Sequence, residues 1–151
     1  MLRPSKKMLF AIEAVLDIAY HAGGEPVQSR EITRRQGIPR RYLEQTLQQL
    51  VRAGILMGVR GPRGGYRLAR ERRRISVGEI VRVVRALEAG EEAPEEIPSS
   101  DLGKQVIRPM WSVLQEEIMG RLDSISIDDL CLQAHQTGIV SEVTQKMDFT
   151  I

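Results

Sequence analysis

Residues 28–69 constrain this chain more than any other stretch. A short helical pattern led by Ser29 runs to about Gln36 and is stopped by Gly37. Ile38-Pro39 then turns the chain tightly into a second helical pattern, from about Arg40 to Ala53, which Gly54 closes. Two helices joined by so short a glycine-containing turn form a helix-turn-helix. The period changes next. Residues 55–59 and 65–69 read as two short strands, and Arg60-Gly61-Pro62-Arg63-Gly64 between them has the glycine and proline density of a hairpin turn. A hairpin directly after a helix-turn-helix is a wing, with Arg60 and Arg63 at its tip.

The second helix separates into two faces. Leu43, Leu47, Leu50 and Val51 point inward, while Arg41, Glu44, Gln45, Gln48 and Arg52 lie opposite. Guanidinium, amide and carboxylate groups are the ones that reach base edges and phosphates. Arg34, Arg35, Arg40, Arg41 and Tyr42 flank or open this helix. Phosphate anchoring is expected for most of them, because most protein–DNA hydrogen bonds go to the backbone. Tyr42 has packing at the turn as its alternative. Ser29 is placed to cap the first helix through its hydroxyl.

Charge is distributed in the same sense. Residues 1–74 carry 16 Lys and Arg against 6 Asp and Glu, net +10, whereas residues 75–151 carry 6 against 14, net −8. One half suits a polyanion and the other does not. The overall +2 hides this.

The remaining chain reads as helices. Residues 5–22 repeat Met8, Ile12, Val15, Leu16 and Ala19 at helical spacing, ended by Gly23-Gly24. Ser76, with Glu79 three residues on, starts another helix through a capping box. Residues 88–101 are rich in acid, proline and serine and read as a linker. A long helical pattern then runs to about Leu122, with Ile107, Trp111, Leu114, Ile118 and Leu122 on one apolar face that needs a partner. Pro109 either opens this helix or kinks it. A short helix over about 126–134 precedes a polar tail expected to fray.

These segments group as a winged helix-turn-helix unit (1–88), an acidic linker (89–101), dimerisation helices (102–135) and a flexible tail (136–151). The fold class is mainly α with a small β-hairpin wing. Two-fold dimers are the commonest way to cover such an apolar helix.

Tyr42-Leu43-Glu44-Gln45, residues 59–69 of the wing and Ile75-Ser76-Val77-Gly78-Glu79-Ile80 together resemble the Rrf-two (IscR/NsrR/CymR-like) family of regulators. Trp111, Leu114 and Leu122, with Ser126-Ile127-Asp128-Asp129-Leu130, resemble its dimer helix and closing helix. The likeness spans roughly residues 3–134. It implies a homodimer that binds double-stranded, pseudo-palindromic operator DNA, and it implies base reading by Glu44. The family usually has glycine where Arg63 stands, so Arg63 is either an added phosphate contact or an incidental surface charge. The expected DNA-facing set is Ser29, Arg34, Arg35, Arg40, Arg41, Tyr42, Glu44, Gln45, Gln48, Arg60, Gly61 and Arg63.

Many relatives hold an iron–sulfur cluster on three linker cysteines. No cysteine lies in 88–103, and such clusters need thiolates. The resemblance is therefore to the cluster-free branch, with no cofactor and no metal expected. The single cysteine, Cys131, is expected buried and inert on the apolar spacing of Ile127 and Leu130. His21 and His135 are expected as surface or satisfied histidines, and the acid run from Glu91 to Glu96 as solvated linker.

No nucleophile–base pair and no nucleotide-binding loop is present, so no enzyme is expected. No apolar run approaches the ~20 residues of a membrane span. Glu13 and Asp17 interrupt the first apolar segment, unlike a signal peptide, and the chain is expected to be cytoplasmic. The expected role is a transcriptional regulator, a repressor by preference, its signal left open between a small-molecule effector, a protein effector and constitutive repression. A winged helix that docks a protein is the alternative.

Overall fold

The computed structural model describes residues 3–91 and 100–143. Its elements are α1 (Lys6–His21), α2 (Ser29–Gln36), α3 (Arg40–Arg52), β1 (Leu56–Val59), β2 (Gly65–Leu68), α4 (Val77–Glu91), α5 (Arg108–Asp123) and α6 (Ile127–Gln136). A single 3-10 turn, Arg72–Arg74, lies between β2 and α4.

Alanine decides what happens at the centre. Ala11, Ala14 and Ala19 are buried on α1 together with Val15 and Ile18. Small side chains around most of the helix let α2, α3, α4 and α6 all pack on it. Leu43, Leu47 and Leu50 enter this core from α3, Ile80 and Val84 from α4, and Ile127 and Cys131 from α6. The closing helix therefore shares the core of the helix-turn-helix unit, although it follows α5 in sequence. A backbone clasp reinforces this: Val77 N–H donates to Ile125 O, and Ile127 N–H to Ile75 O, each at 2.8 Å. α4 and α6 each start with a reciprocal serine–carboxylate cap, Ser76 with Glu79 and Ser126 with Asp129.

β1 and β2 pair antiparallel with Leu56 opposite Leu68 and Val59 opposite Gly65. Val27 adds a third, one-residue partner, exchanging two 2.8 Å hydrogen bonds with Tyr66. A Cβ on Gly65 would stand 2.5 Å from the Val27 carbonyl oxygen, so glycine is required at that crossing. The same pairing corrects one expectation. Val27 and Gln28 are held extended, so the cap position of α2 falls to Gln28, and Ser29 is the first helical residue. Glu31 accepts from the Gln28 N–H at 3.1 Å.

Pro109 stands in the first turn of α5. The helical path begins earlier, with a five-residue π-type stretch, Gly103–Ile107, in which Arg108 N–H reaches Gly103 O. A widened turn leaves room for a ring that would clash with the preceding turn and tolerates the missing N–H. The C-terminal end of α5 is fixed to α4. Arg82 holds Asp123 through two hydrogen bonds of 2.7 and 2.6 Å, beside Gly78, whose position leaves no space for a side chain.

Residues 139–143, where a frayed tail was expected, fold back against α1 and α2. Most of the acidic linker and residues 144–151 lie outside the described residues.

Candidate nucleic-acid interface

α3 carries the candidate strip because its inner stripe is anchored in the core. Leu43, Thr46, Leu47 and Leu50 are buried, which turns Arg40, Arg41, Glu44, Gln45, Gln48 and Arg52 outward. The outward residues recur at three- and four-residue intervals and form one polar strip. Glu44 is not bare on this strip. Its carboxylate accepts from Arg40 Nε at 2.9 Å, one turn earlier. The pair neutralises Glu44 at the helix surface, so a carboxylate can face DNA with its phosphate repulsion partly cancelled. Tyr42 is half exposed, with the Lys7 ammonium 5.9 Å from its ring centroid, a contact that ties the start of α3 to α1.

The wing follows from α3 without a linker. Ile55 and Leu56 are buried beneath it, and Arg60, Gly61, Pro62 and Arg63 are exposed at its tip. Gly61 has φ +109°, a conformation that favours glycine over residues with a Cβ. Arg63 and Pro62 form one wall of an open cleft whose other walls include Gln28, Arg30, His21 and Glu142.

The two arginines of α2 part company. Arg34 has a side chain 64% exposed and Arg35 one only 10% exposed. Arg35 turns inward, donating through Nε and Nη2 to the fully buried Asp17 of α1, both at 2.8 Å. Gln36 donates to the same carboxylate at 2.7 Å. Buried charge needs such a partner set, and the Asp17 hydrogen bond in turn raises the Arg35 pKa. Arg35 is thus corrected from a phosphate contact to an internal strut. Its partner was legible in principle: an acid at position 17, within the stripe of Ala14, Val15 and Ile18, demands a buried cation.

Glu142 was not foreseen. It reaches Arg34 Nη2 at 2.7 Å and Arg35 Nη1 at 2.8 Å, and these arginines, the hydrogen bond from Arg34 first, lower its pKa. His21 accepts the Glu142 N–H on Nδ1 at 3.1 Å. Burial, and after it the Arg35 charge, hold His21 below the ordinary 6.5.

Two further places singled out in the sequence are Cys131 and the apolar face of α5. Cys131 is 3% exposed, and burial pushes its thiol pKa up, against a smaller pull from the Arg72 charge. Among the described residues no cluster of three His, Cys, Asp or Glu is placed to hold a metal ion. On α5 and the turn before it, Ile107, Trp111, Leu114 and Ile118 are exposed, Trp111 by 43%, alongside Val106, Met110 and Val113. Leu122 is half buried. Among the described residues no helix is long and apolar enough to cross a membrane.

Comparison with known proteins gives one family. The profile described as "Rrf2: Iron-dependent Transcriptional regulator" matches residues 4–133. The HTH-type transcriptional regulator IscR of Photobacterium profundum is 33% identical over 147 residues, covering 97% of this chain and 83% of its own. Protein rrf2 of Nitratidesulfovibrio vulgaris is 32% identical over 126 residues, covering 83% of this chain and 84% of its own. Among solved structures, T. potens IscR superposes with a TM-score of 0.72 at 34% identity, covering 92% of this chain and 93% of its own. CymR, the global cysteine regulator of B. subtilis, superposes with a TM-score of 0.68 at 28% identity, covering 88% and 98%.

Proposed function

This chain belongs to the Rrf2 family of transcriptional regulators, a DNA-binding family, and on that premise we propose that it acts as a homodimeric repressor without an iron–sulfur cluster. The observation that carries the DNA reading is the outward strip of α3, adjoining a wing tipped by Arg60 and Arg63. In this reading α3 enters the major groove, with Glu44 accepting from a cytosine amino group and Gln45 and Gln48 within reach of base edges. Arg34, Arg40 and Arg41 hold phosphates, and Arg60 enters the minor groove, whose negative potential favours arginine. Two copies joined through the apolar face of α5 place two α3 helices on the two halves of a pseudo-palindrome. No catalytic role is assigned, and the site of action is the cytoplasm.

The cluster-free part rests on donor chemistry. A cluster needs about four ligands, mostly thiolates. This chain has one cysteine, which lies in the core with Ile127. No step of regulation is therefore routed through a cluster.

Binding of promoter and random duplexes across a range of salt concentrations tests this reading. Steep salt dependence, with preference for the promoter upstream of the chain's own gene or its neighbours, is the expected result. Shallow dependence with no preference refutes it. Anaerobic purification with iron and sulfide analysis tests the cluster separately, and stoichiometric iron and sulfide would overturn that part alone.

A further inference from the structure

The DNA reading leaves residues 139–143 without a role, yet they are held in place at several points. Ser141 Oγ donates to Tyr20 O at 2.9 Å, and Tyr20 Oη donates to the Ile139 carbonyl. Glu142 N–H donates to His21 Nδ1. The Val143 methyls lie so close to Gly23 that a Cβ there would come within 2.8 Å of one of them. These anchors fix the backbone independently of the Glu142 carboxylate. They present that carboxylate to Arg34 and Arg35.

The two arginines then respond differently to its loss. Arg35 keeps Asp17 as a buried partner. Arg34 is mostly exposed, and among the described residues Glu142 is its one ion-pair partner. Arg34 lies on the first helix of the helix-turn-helix, the one that crosses the DNA backbone. A carboxylate and a phosphate offer guanidinium the same paired oxygen acceptors. An anion held on Arg34 by the chain's own backbone competes with the anion that DNA would bring.

We propose that residues 139–143 form an autoinhibitory latch in which Glu142 occupies the phosphate position on Arg34 until DNA displaces it. The proposal rests on the reading of α2 and α3 as the DNA-facing helices. The exchange is one anion for another on the same guanidinium. The difference in free energy is the Arg34–Glu142 pair and the backbone anchors behind it, which DNA must break; Glu142→Gln removes the pair and the shortened chain removes both.

The test uses the full chain, the Glu142→Gln variant, the Arg34→Ala/Glu142→Gln double variant and a chain ending at Gly138. Each is titrated by fluorescence anisotropy against a short mixed-sequence duplex at several salt concentrations. Per subunit, Glu142→Gln is expected to tighten binding about threefold, the worth of one exposed ion pair. It should also steepen the log–log salt slope by about one. The shortened chain should do the same, and the double variant should lose the gain. Hydrogen exchange supplies a readout that needs no variant. The Glu142 amide should be protected in the free protein and exchange freely once DNA is bound. Variants that bind no more tightly than the parent overturn the latch, as does a Glu142 amide that exchanges at the free-peptide rate without DNA. A parent whose DNA binding ignores salt instead refutes the DNA reading, an outcome that the unbound-state exchange keeps distinct.

Discussion

α3 and α5 are helices of similar length, but α3 is anchored by a buried stripe and shows solvent one polar face, whereas α5 has no buried residue and shows solvent an apolar face. α3 exposes Arg40, Arg41, Glu44, Gln45, Gln48 and Arg52, whereas α5 and its approach expose Ile107, Trp111, Leu114 and Ile118. An exposed polar face is stable in water and waits for a charged partner without penalty. An exposed apolar face on this scale is unfavourable until it is covered. The difference suits the order of events in the assembly we propose, with the α5 face covered permanently by a second copy and the α3 face reversibly by DNA. In the proposed assembly the first contact makes a dimer and the second makes it a regulator.

The largest effect is expected at α5. Ile118→Asp places a charge in the middle of the apolar face and should leave a monomer with intact helical circular dichroism, read by light scattering. Losing the second head should weaken binding to a two-half-site duplex by roughly 10²-fold or more. A variant that stays dimeric would show that α5 is not the joining surface.

Next in size is Arg35→Ala. Removing one member of a buried pair typically costs about 3–5 kcal/mol. It should lower the urea midpoint far more than Arg34→Ala, which exposes little. If the two variants unfold alike and Arg35→Ala mainly flattens the salt slope for DNA, Arg35 belongs on the interface after all.

A smaller effect separates reading from holding on the polar strip. Glu44→Ala should cost about 1–3 kcal/mol of discrimination at one base position in each half-site. Arg60→Ala should weaken all sequences evenly and reduce the salt slope by about one. Competition titrations with singly altered duplexes distinguish the two, and equal losses on every duplex for both variants would remove Glu44 from base reading.

The smallest concerns pH. His21 is held below the ordinary 6.5, by burial first and then by Arg35 and Arg34, against the opposing pull of Asp17 and Glu142. A histidine with a lowered folded pKa binds its proton more readily when unfolded. Stability should therefore fall as pH drops below 6.5 toward the folded value, and it should be level above. Protonated His21 also turns Nδ1 into a donor facing the Glu142 N–H. His21→Gln should flatten this part of the stability profile in thermal unfolding, and an unchanged profile would remove His21 as its cause.

Much of this architecture was legible in residue order, wherever the controlling physics is local. Periodicity over 40–53 separates Leu43, Leu47 and Leu50 from the polar strip because the helix repeat alone assigns faces. Glycine and proline over 60–65 place the wing, and Ser76 with Glu79 starts α4, because turns and caps are decided within a few residues. Tertiary structure decided what depends on contacts between distant segments. Arg34 and Arg35 are adjacent and identical in type, and only the helix rotation that aims one at Asp17, 18 positions away, makes one a strut and leaves the other to solvent. Ser29 lost the cap because Val27 pairs with Tyr66. Glu142 meets α2 across 107 and 108 residues, a closeness that no local pattern encodes. The helix repeat and turn chemistry are written into neighbouring residues, whereas the partner of a charge is chosen by the packing of the whole chain.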